Sequence, residues 1–498
     1  MSANLLLGLV IGYFVILLFV AWITGRKSNN ESFFIGNRNS NWMLVAFGMI
    51  GTSLSGVTFV SVPGAVGKEG FAYFQIALGY IIGYVTIAFV LLPLYYRLNV
   101  TSIYNYLQQR LGFTSYKTGA SFFVLSRTLG ATARLYLVVN ILQELMEKAF
   151  GDSMRIPFWL TTAIILLMIL LYTFEGGVKT IVYTDTLQTT CMLAGLVICT
   201  FYILNTLGLD LGGGIRAMSD KGYTRIFFTD PNSKLFFLKQ ILAGAFITIT
   251  MTGMDQEMMQ KNISVRRLRD SQKNMLTFSL ILTGVLLLFL FLGGLLHLYA
   301  ESSGVAATGD KLFPAVALEH MPPVIGIVFI IALISALFPS ADGAITALTS
   351  SFCIDILGIK RRADWDERKQ KRVRQTVHLV FAAVFLLCVM LFKWISNPSM
   401  IGVILKVAAY TYGPLLGLFT FGLVTRRLVQ DGLVPYVCIA APVLCYLIDH
   451  FQAELLGGFQ IGPELLILNG VLVFVGLLLI SKPAPVGREL TAASENAL

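Results

Sequence analysis

Long apolar runs with almost no charge inside them leave this chain few ways to fold. Leu5 to Trp22 carries no charged residue, and runs of similar character recur to within a few dozen residues of Leu498. A helix needs about 20 such residues to cross a bilayer. Soluble domains carry about 25% charged residues; here the charged share is 13% and the hydrophobic share 56%. The expected fold class is an all-α polytopic membrane protein. A transmembrane β-barrel is excluded, because its alternating segments of about 10 residues do not occur.

Thirteen spans are expected, at 4–24, 41–65, 71–96, 119–146, 156–174, 181–206, 237–256, 275–299, 322–356, 375–394, 400–424, 432–449 and 464–481. With the N-terminus outside and the C-terminus cytoplasmic, Lys and Arg favour the inside loops by roughly three to one. Lys261 belongs to that inside set, with Arg266 and Arg267. The net charge of +10 thus reads as loop bias and not as a nucleic-acid surface. The first span lacks a basic flank and a small-residue cleavage pattern, so it reads as a retained helix. The longest loops, 207–236 and 300–321, are too short for a soluble domain. The polar tail after Ser481 reads as disordered. The six cysteines lie inside apolar spans without CxxC spacing and read as buried hydrophobes. No phosphate-binding GxxxxGK[ST] loop and no HExxH occurs.

Charge buried mid-span costs several kcal/mol unless it is paired or solvated. Arg127, Arg134, Asp185, Asp342 and Lys406 qualify. Arg127 and Arg134 are seven apart and share a helix face. Ion pairs that merely hold helices together are the alternative. Lys239 and Lys393 sit near helix ends and can snorkel.

Two spans read as broken. MIGTSLSGVTFVSVPG (49–64) mixes glycines, hydroxyls and Pro63, and ITITMTGMDQEMMQ (247–260) contains Gly253 and Asp255. Each opens a block of five spans. Paired interruptions in matching halves point to an inverted-repeat transporter with a midplane site, against the alternative of two packing kinks. In FPSADGAITALTSS (338–351), Pro339 cannot donate to the carbonyl of Ser335, and Ser340 adds a hydroxyl nearby. Such uncharged oxygens suit a monovalent cation. Asp342, Thr346 and Thr349 share another face, which alternatively reads as hydroxyl-rich packing.

YTFEGGVKTIVYTDTLQ (172–188), TGMDQEMMQ (252–260), the helix ending in CIDIL (353–357) and YGPLLGLFTFGLVTRR (412–427) resemble the sodium:solute symporter family. That family includes the sodium–glucose cotransporters and the bacterial sialic acid symporters. The resemblance implies a five-plus-five inverted-repeat, leucine-transporter-like core. Residues 1–40 would form an extra helix and loop, 41–206 and 237–424 the repeats with 207–236 between them, 425–481 two more helices, and 482–498 the tail. It implies a sodium (Na+) site from backbone oxygens of Gly51, Leu54 and Ala336 and the hydroxyl of Ser340. Family members usually have two adjacent Ser/Thr there, and this chain has Pro339-Ser340, so one hydroxyl is missing. Asp185 and Asp342 would serve a second cation, if one binds. Ser53, Ser55, Thr58 and Tyr73 would face the solute. Lys406 falls where sugar-transporting members place a sugar-binding glutamine. The sialic acid symporters' arginine aligns at Gly130, between Arg127 and Arg134, which leaves open which of the two serves.

The expectation is a sodium-coupled symporter, not an enzyme. It would import a small, anionic solute such as sialic acid across the inner (plasma) membrane by alternating access. A neutral sugar or a monocarboxylate are the alternative solutes. A solute-gated channel or sensor is the alternative class, which no filter or output domain supports. Oligomeric state is unreadable from the sequence.

Overall fold

A computed structural model describes residues 3–25, 33–34, 38–150, 156–174, 177–362, 364–394 and 400–483. Its main helices are α1 (Ala3–Gly25), α2 (Trp42–Ser53), α3 (Gly56–Glu69), α4 (Tyr73–Arg97), α5 (Phe113–Lys148), α6 (Phe158–Thr173), α7 (Gly177–Thr206) and α8 (Leu211–Asp220). They continue with α9 (Phe237–Gly253), α10 (Gln256–Ile263), α11 (Leu268–Ser303), α12 (Pro323–Ile356), α13 (Glu367–Trp394), α14 (Met400–Val424), α15 (Val434–His450) and α16 (Leu465–Leu479). Each expected span has its counterpart among them. Among the described residues, eight helices are long and apolar enough to cross a membrane, two bent pairs pass together, and three apolar helices are shorter. The tail read as disordered lies mostly outside the described residues, as do Glu175 and Gly176 of the quoted YTFEGG motif.

The chain is arranged inside out relative to a soluble protein. Phe19, Leu280, Leu387 and Tyr436 are 59–70% exposed, whereas Asp185, Asp255 and Asp342 are wholly buried. In water so much exposed apolar surface would drive association; in a bilayer it is the lipid face. Small residues let the bundle close. An added Cβ on Gly79 would lie 2.1 Å from the carbonyl oxygen of Ile241, and one on Gly244 2.2 Å from that of Ile76. Backbones of α4 and α9 therefore touch directly, the usual device where apolar burial cannot drive helix association.

Both expected breaks occur. The α2–α3 pair bends by 59° and α9–α10 by 66°. Leu54 leaves helical geometry at φ −92°, ψ 83°, and Ser55 is extended. Pro63 is inside α3 and plays no part in the break. At the second break Asp255 is extended, and its carboxylate accepts the amides of Glu257 and Met258. A capping aspartate starts a new helix, so this span runs on to Ile263 instead of ending near 256. Pro339, by contrast, sits within an unbroken α12.

One end of the bundle is tied by polar contacts. Asp431 accepts the amides of Thr114 and Ser115 at 2.7 Å, capping the start of α5. Asp355 accepts hydroxyls from Tyr116 (2.9 Å) and Ser351 (2.6 Å). A two-residue antiparallel pair joins β1 (Leu428–Val429) to β2 (Ser481–Lys482).

Candidate functional site

The break between α2 and α3 opens onto an internal cavity of about 100 Å³. At about 10–15 Å³ of such space per water, it holds several waters or one small solute. A broken helix leaves backbone groups without helical partners, and only a polar, solvated cavity tolerates that at membrane depth.

Ser53, Ser55, Thr58 and Tyr73 all line this cavity, as do both arginines of α5. The two arginines differ in their partners. Arg127 is 4% exposed and donates to Glu257, with Asp255 at 4.0 Å. Arg134 forms no ion pair among the described residues. Gly130 between them faces open space, since a Cβ there would meet nothing within 4 Å. Tyr80, Tyr84, Thr248 and Thr252 add further hydroxyls to the wall. Sequence reasoning passed over them, because hydroxyls in apolar runs carry no mark of which way they face. The Tyr73 and Tyr80 hydroxyls meet at 3.2 Å.

Lys406 is elsewhere. It is 61% exposed and paired with Asp449 at 2.7 Å. It lines a separate, larger space of about 520 Å³, bounded also by Glu69 and Lys234. Tyr73, Ile401 and Leu405 wall both spaces, so they separate this vestibule from the central cavity. At the start of α14, Asp310 accepts the Met400 amide at 3.1 Å, and burial raises its carboxyl above the ordinary range.

The two segments expected to hold sodium meet at Gly51. A Cβ on Gly51 would lie 3.4 Å from the Pro339 ring, so the end of α2 abuts the Pro339-Ser340 turn of α12. The Leu54 amide bonds to Ile50, closing α2, whereas the Ser55 amide makes no such bond to Gly51 among the described residues. The end of α2 thus presents carbonyls at the negative end of a helix dipole, which suits a cation. Ser340 is buried and donates to the Leu337 carbonyl at 2.8 Å, leaving its oxygen lone pairs free to face an ion.

Asp185 and Asp342 sit within a denser charge network. Lys261 is only 3% exposed; its ammonium reaches Asp185 at 2.6 Å, Thr52 at 2.6 Å and Glu257 at 3.7 Å. It is therefore no loop residue. The 66° bend and the extension of α10 carry it back into the bundle. Asp342 accepts the Tyr172 hydroxyl at 2.7 Å and the Gly343 amide at 2.5 Å. Glu257 and Lys261 escaped the sequence reading because they follow the expected end of their span. Their i, i+4 spacing was the available signal.

The profile of the sodium:solute symporter family matches residues 33–435. The chain belongs to the sodium:solute symporter family. The human sodium/iodide cotransporter is 24% identical over 82% of this chain and 63% of its own length. The sodium/sialic acid symporter SiaT of Proteus mirabilis is 22% identical over 89% of both chains. The chain thus spans under two thirds of the iodide cotransporter but most of the bacterial protein. Among solved structures, a substrate-bound, outward-open sodium-coupled sialic acid symporter superposes with TM-score 0.82 at 17% identity, covering 96% of this chain and 99% of that one. A nucleobase-cation-symport-1 family transporter in a closed conformation superposes with TM-score 0.59 at 14% identity, covering 95% and 99%. These likenesses carry the five-plus-five inverted-repeat fold and leave the solute open.

Proposed function

We propose that this protein is a sodium-coupled symporter for a small organic anion, whose carboxylate is held by Arg134. The unpaired guanidinium at the central cavity carries the reading. Arginine grips a carboxylate through two parallel hydrogen bonds, and Arg134, half-buried in the cavity wall, keeps its guanidinium available to that space. The surrounding hydroxyls of Ser53, Ser55 and Thr58 and the Tyr73 ring suit a polyhydroxylated acid such as sialic acid. A short monocarboxylate is the second reading, supported by the 100 Å³ volume and by a wall that includes Met251, Leu282, Leu286 and Ile404.

One sodium binds at Gly51, Leu54, Ala336 and Ser340. It orders the α2–α3 break and so completes the solute site; rocking of 41–206 against 237–424 then exposes the cavity to the other side. A second cation at Asp185 and Asp342 is not part of this proposal, because the Lys261 ammonium already engages Asp185. The N-terminus lies outside and the C-terminus in the cytoplasm of a bacterial inner membrane. No covalent chemistry enters the cycle.

The test is uptake of radiolabelled N-acetylneuraminate, pyruvate and glucose into proteoliposomes, with and without an inward sodium gradient. The expected result is sodium-driven uptake of one of the acids, abolished by Arg134→Gln. Sodium-driven uptake of glucose alone would reject the anionic site while leaving the symporter intact.

A further inference from the structure

Pro339 stands where a second sodium-binding hydroxyl is expected, and the structure brings another hydroxyl against the same glycine that Pro339 approaches. Thr189 of α7 lies across from Gly51: its Oγ1 is 2.4 Å from where a Cβ on Gly51 would be, with the Pro339 ring 3.4 Å from that point. Thr189 is wholly buried, and its hydroxyl has no hydrogen-bond partner among the described residues.

Asp185 Oδ1 and the Gln188 amide on the same helix also lack partners, but among its threonines this orphan stands apart. Thr184, Thr186, Thr190, Thr200 and Thr206, also on α7, each donate to a carbonyl one turn back. This is the default for threonine in a membrane helix, where no water satisfies the hydroxyl. Thr189 forgoes that bond, and its oxygen faces the Gly51 backbone at the end of α2, which the Pro339 ring also approaches. A buried hydroxyl without a partner pays its desolvation in full, so it calls for a ligand. A bare monovalent cation fits, being a hard ion that takes uncharged oxygens. The glycine at 51 is required for the same reason, since any side chain there would occupy the space between Thr189 and Pro339.

We infer that Thr189 is a sodium ligand, supplying from α7 the hydroxyl that Pro339 cannot supply from α12. The inference rests on the sodium site proposed above. It also ties α7 to the broken helix through the ion, so that sodium arrival is felt by a third element.

The experiment is sodium binding to purified protein in detergent, followed as the rise in melting temperature along a sodium chloride titration with choline chloride compensation. Four variants are compared: Thr189→Val, Thr189→Ser, Thr189→Val with Pro339→Ser, and Ser340→Ala. Thr200→Val, which removes a hydroxyl bonded within α7, is the control. Thr189→Val weakens apparent sodium affinity by about tenfold or more, the scale of losing a polar contact to a charge. Thr189→Ser stays near wild type, and Pro339→Ser restores part of the loss. Wild-type sodium affinity in Thr189→Val alongside a loss in Ser340→Ala overturns the inference and leaves the sodium site standing. No sodium response in the wild type overturns both. Should Thr189→Val fail to fold, a Thr189→Ser protein that binds sodium as wild type supports the hydroxyl, and one that loses sodium tenfold overturns it.

Discussion

Replacing Lys261 by methionine removes a charge from a buried network while keeping most of its volume. The Lys261–Asp185 pair is 2.6 Å long, with both side chains at most 3% exposed. At an effective dielectric of about 20, the attraction at that distance is roughly 6 kcal/mol. Desolvation of both ions offsets part of it, so the net worth of the pair is smaller. The variant nonetheless bears the larger penalty, because among the described residues Asp185 keeps only the Thr52 hydroxyl at 3.2 Å. Breaking a buried pair from one side costs about 3–5 kcal/mol. Converting both partners, Asp185→Asn with Lys261→Met, removes the stranded charge and recovers more than half of that. The assay is denaturant unfolding of the purified protein in detergent, run as a double-mutant cycle. Because the pair links α10, beyond the second break, to α7, the single variant also becomes more sensitive to protease near 254–263. A loss below about 1 kcal/mol, or a coupling energy near zero, would refute the buried pair as drawn, since exposed pairs give only that much.

Three further outcomes follow from the geometry. Lys406→Gln, at an exposed vestibule pair, shifts half-saturation for the solute by less than about threefold and leaves maximal uptake intact; complete loss of uptake would return Lys406 to the solute site. Asp310 has its carboxyl raised by burial, so its folded value lies above the unfolded value of about 3.9. The protonated form is the one the fold favours, so the wild type gains stability as pH falls from 7 through the raised value, and Asp310→Asn flattens that dependence. Melting curves at pH 4.5 and 7 for both proteins decide it, and identical slopes would reject the burial argument. One sodium carried with one monoanion moves no net charge. Uptake should therefore ignore a potassium–valinomycin potential, and acceleration by an inside-negative potential would require a second sodium or a neutral solute.

Much of the architecture was legible along the chain. Spans follow from composition, because the cost of an unpaired backbone group in hydrocarbon leaves a helix as the open choice. Both breaks were visible as well, for Gly-Thr-Ser runs and a capping aspartate act on the residues next to them. The oxygens around Pro339 and Ser340 could be named for the same local reason, whereas Gly51 and Leu54 were named through the family resemblance.

Partners were not legible. Arg127 and Arg134 look equivalent in sequence, and only Glu257, delivered by the bent α10, takes one and leaves the other. Lys261 reads as a loop lysine until a 66° bend turns it inward. Lys406 has the depth of a site residue, but depth does not say which way a helix faces, and it points to the vestibule. Thr189 resembles its neighbours on α7 until Gly51 is seen opposite it. Sequence by itself determined what must be helix, what must lie in lipid and where the helices break, because those depend on each residue and its near neighbours. The rotation and crossing of helices far apart in the chain decided which charge is paired, which hydroxyl is orphaned and which arginine is free.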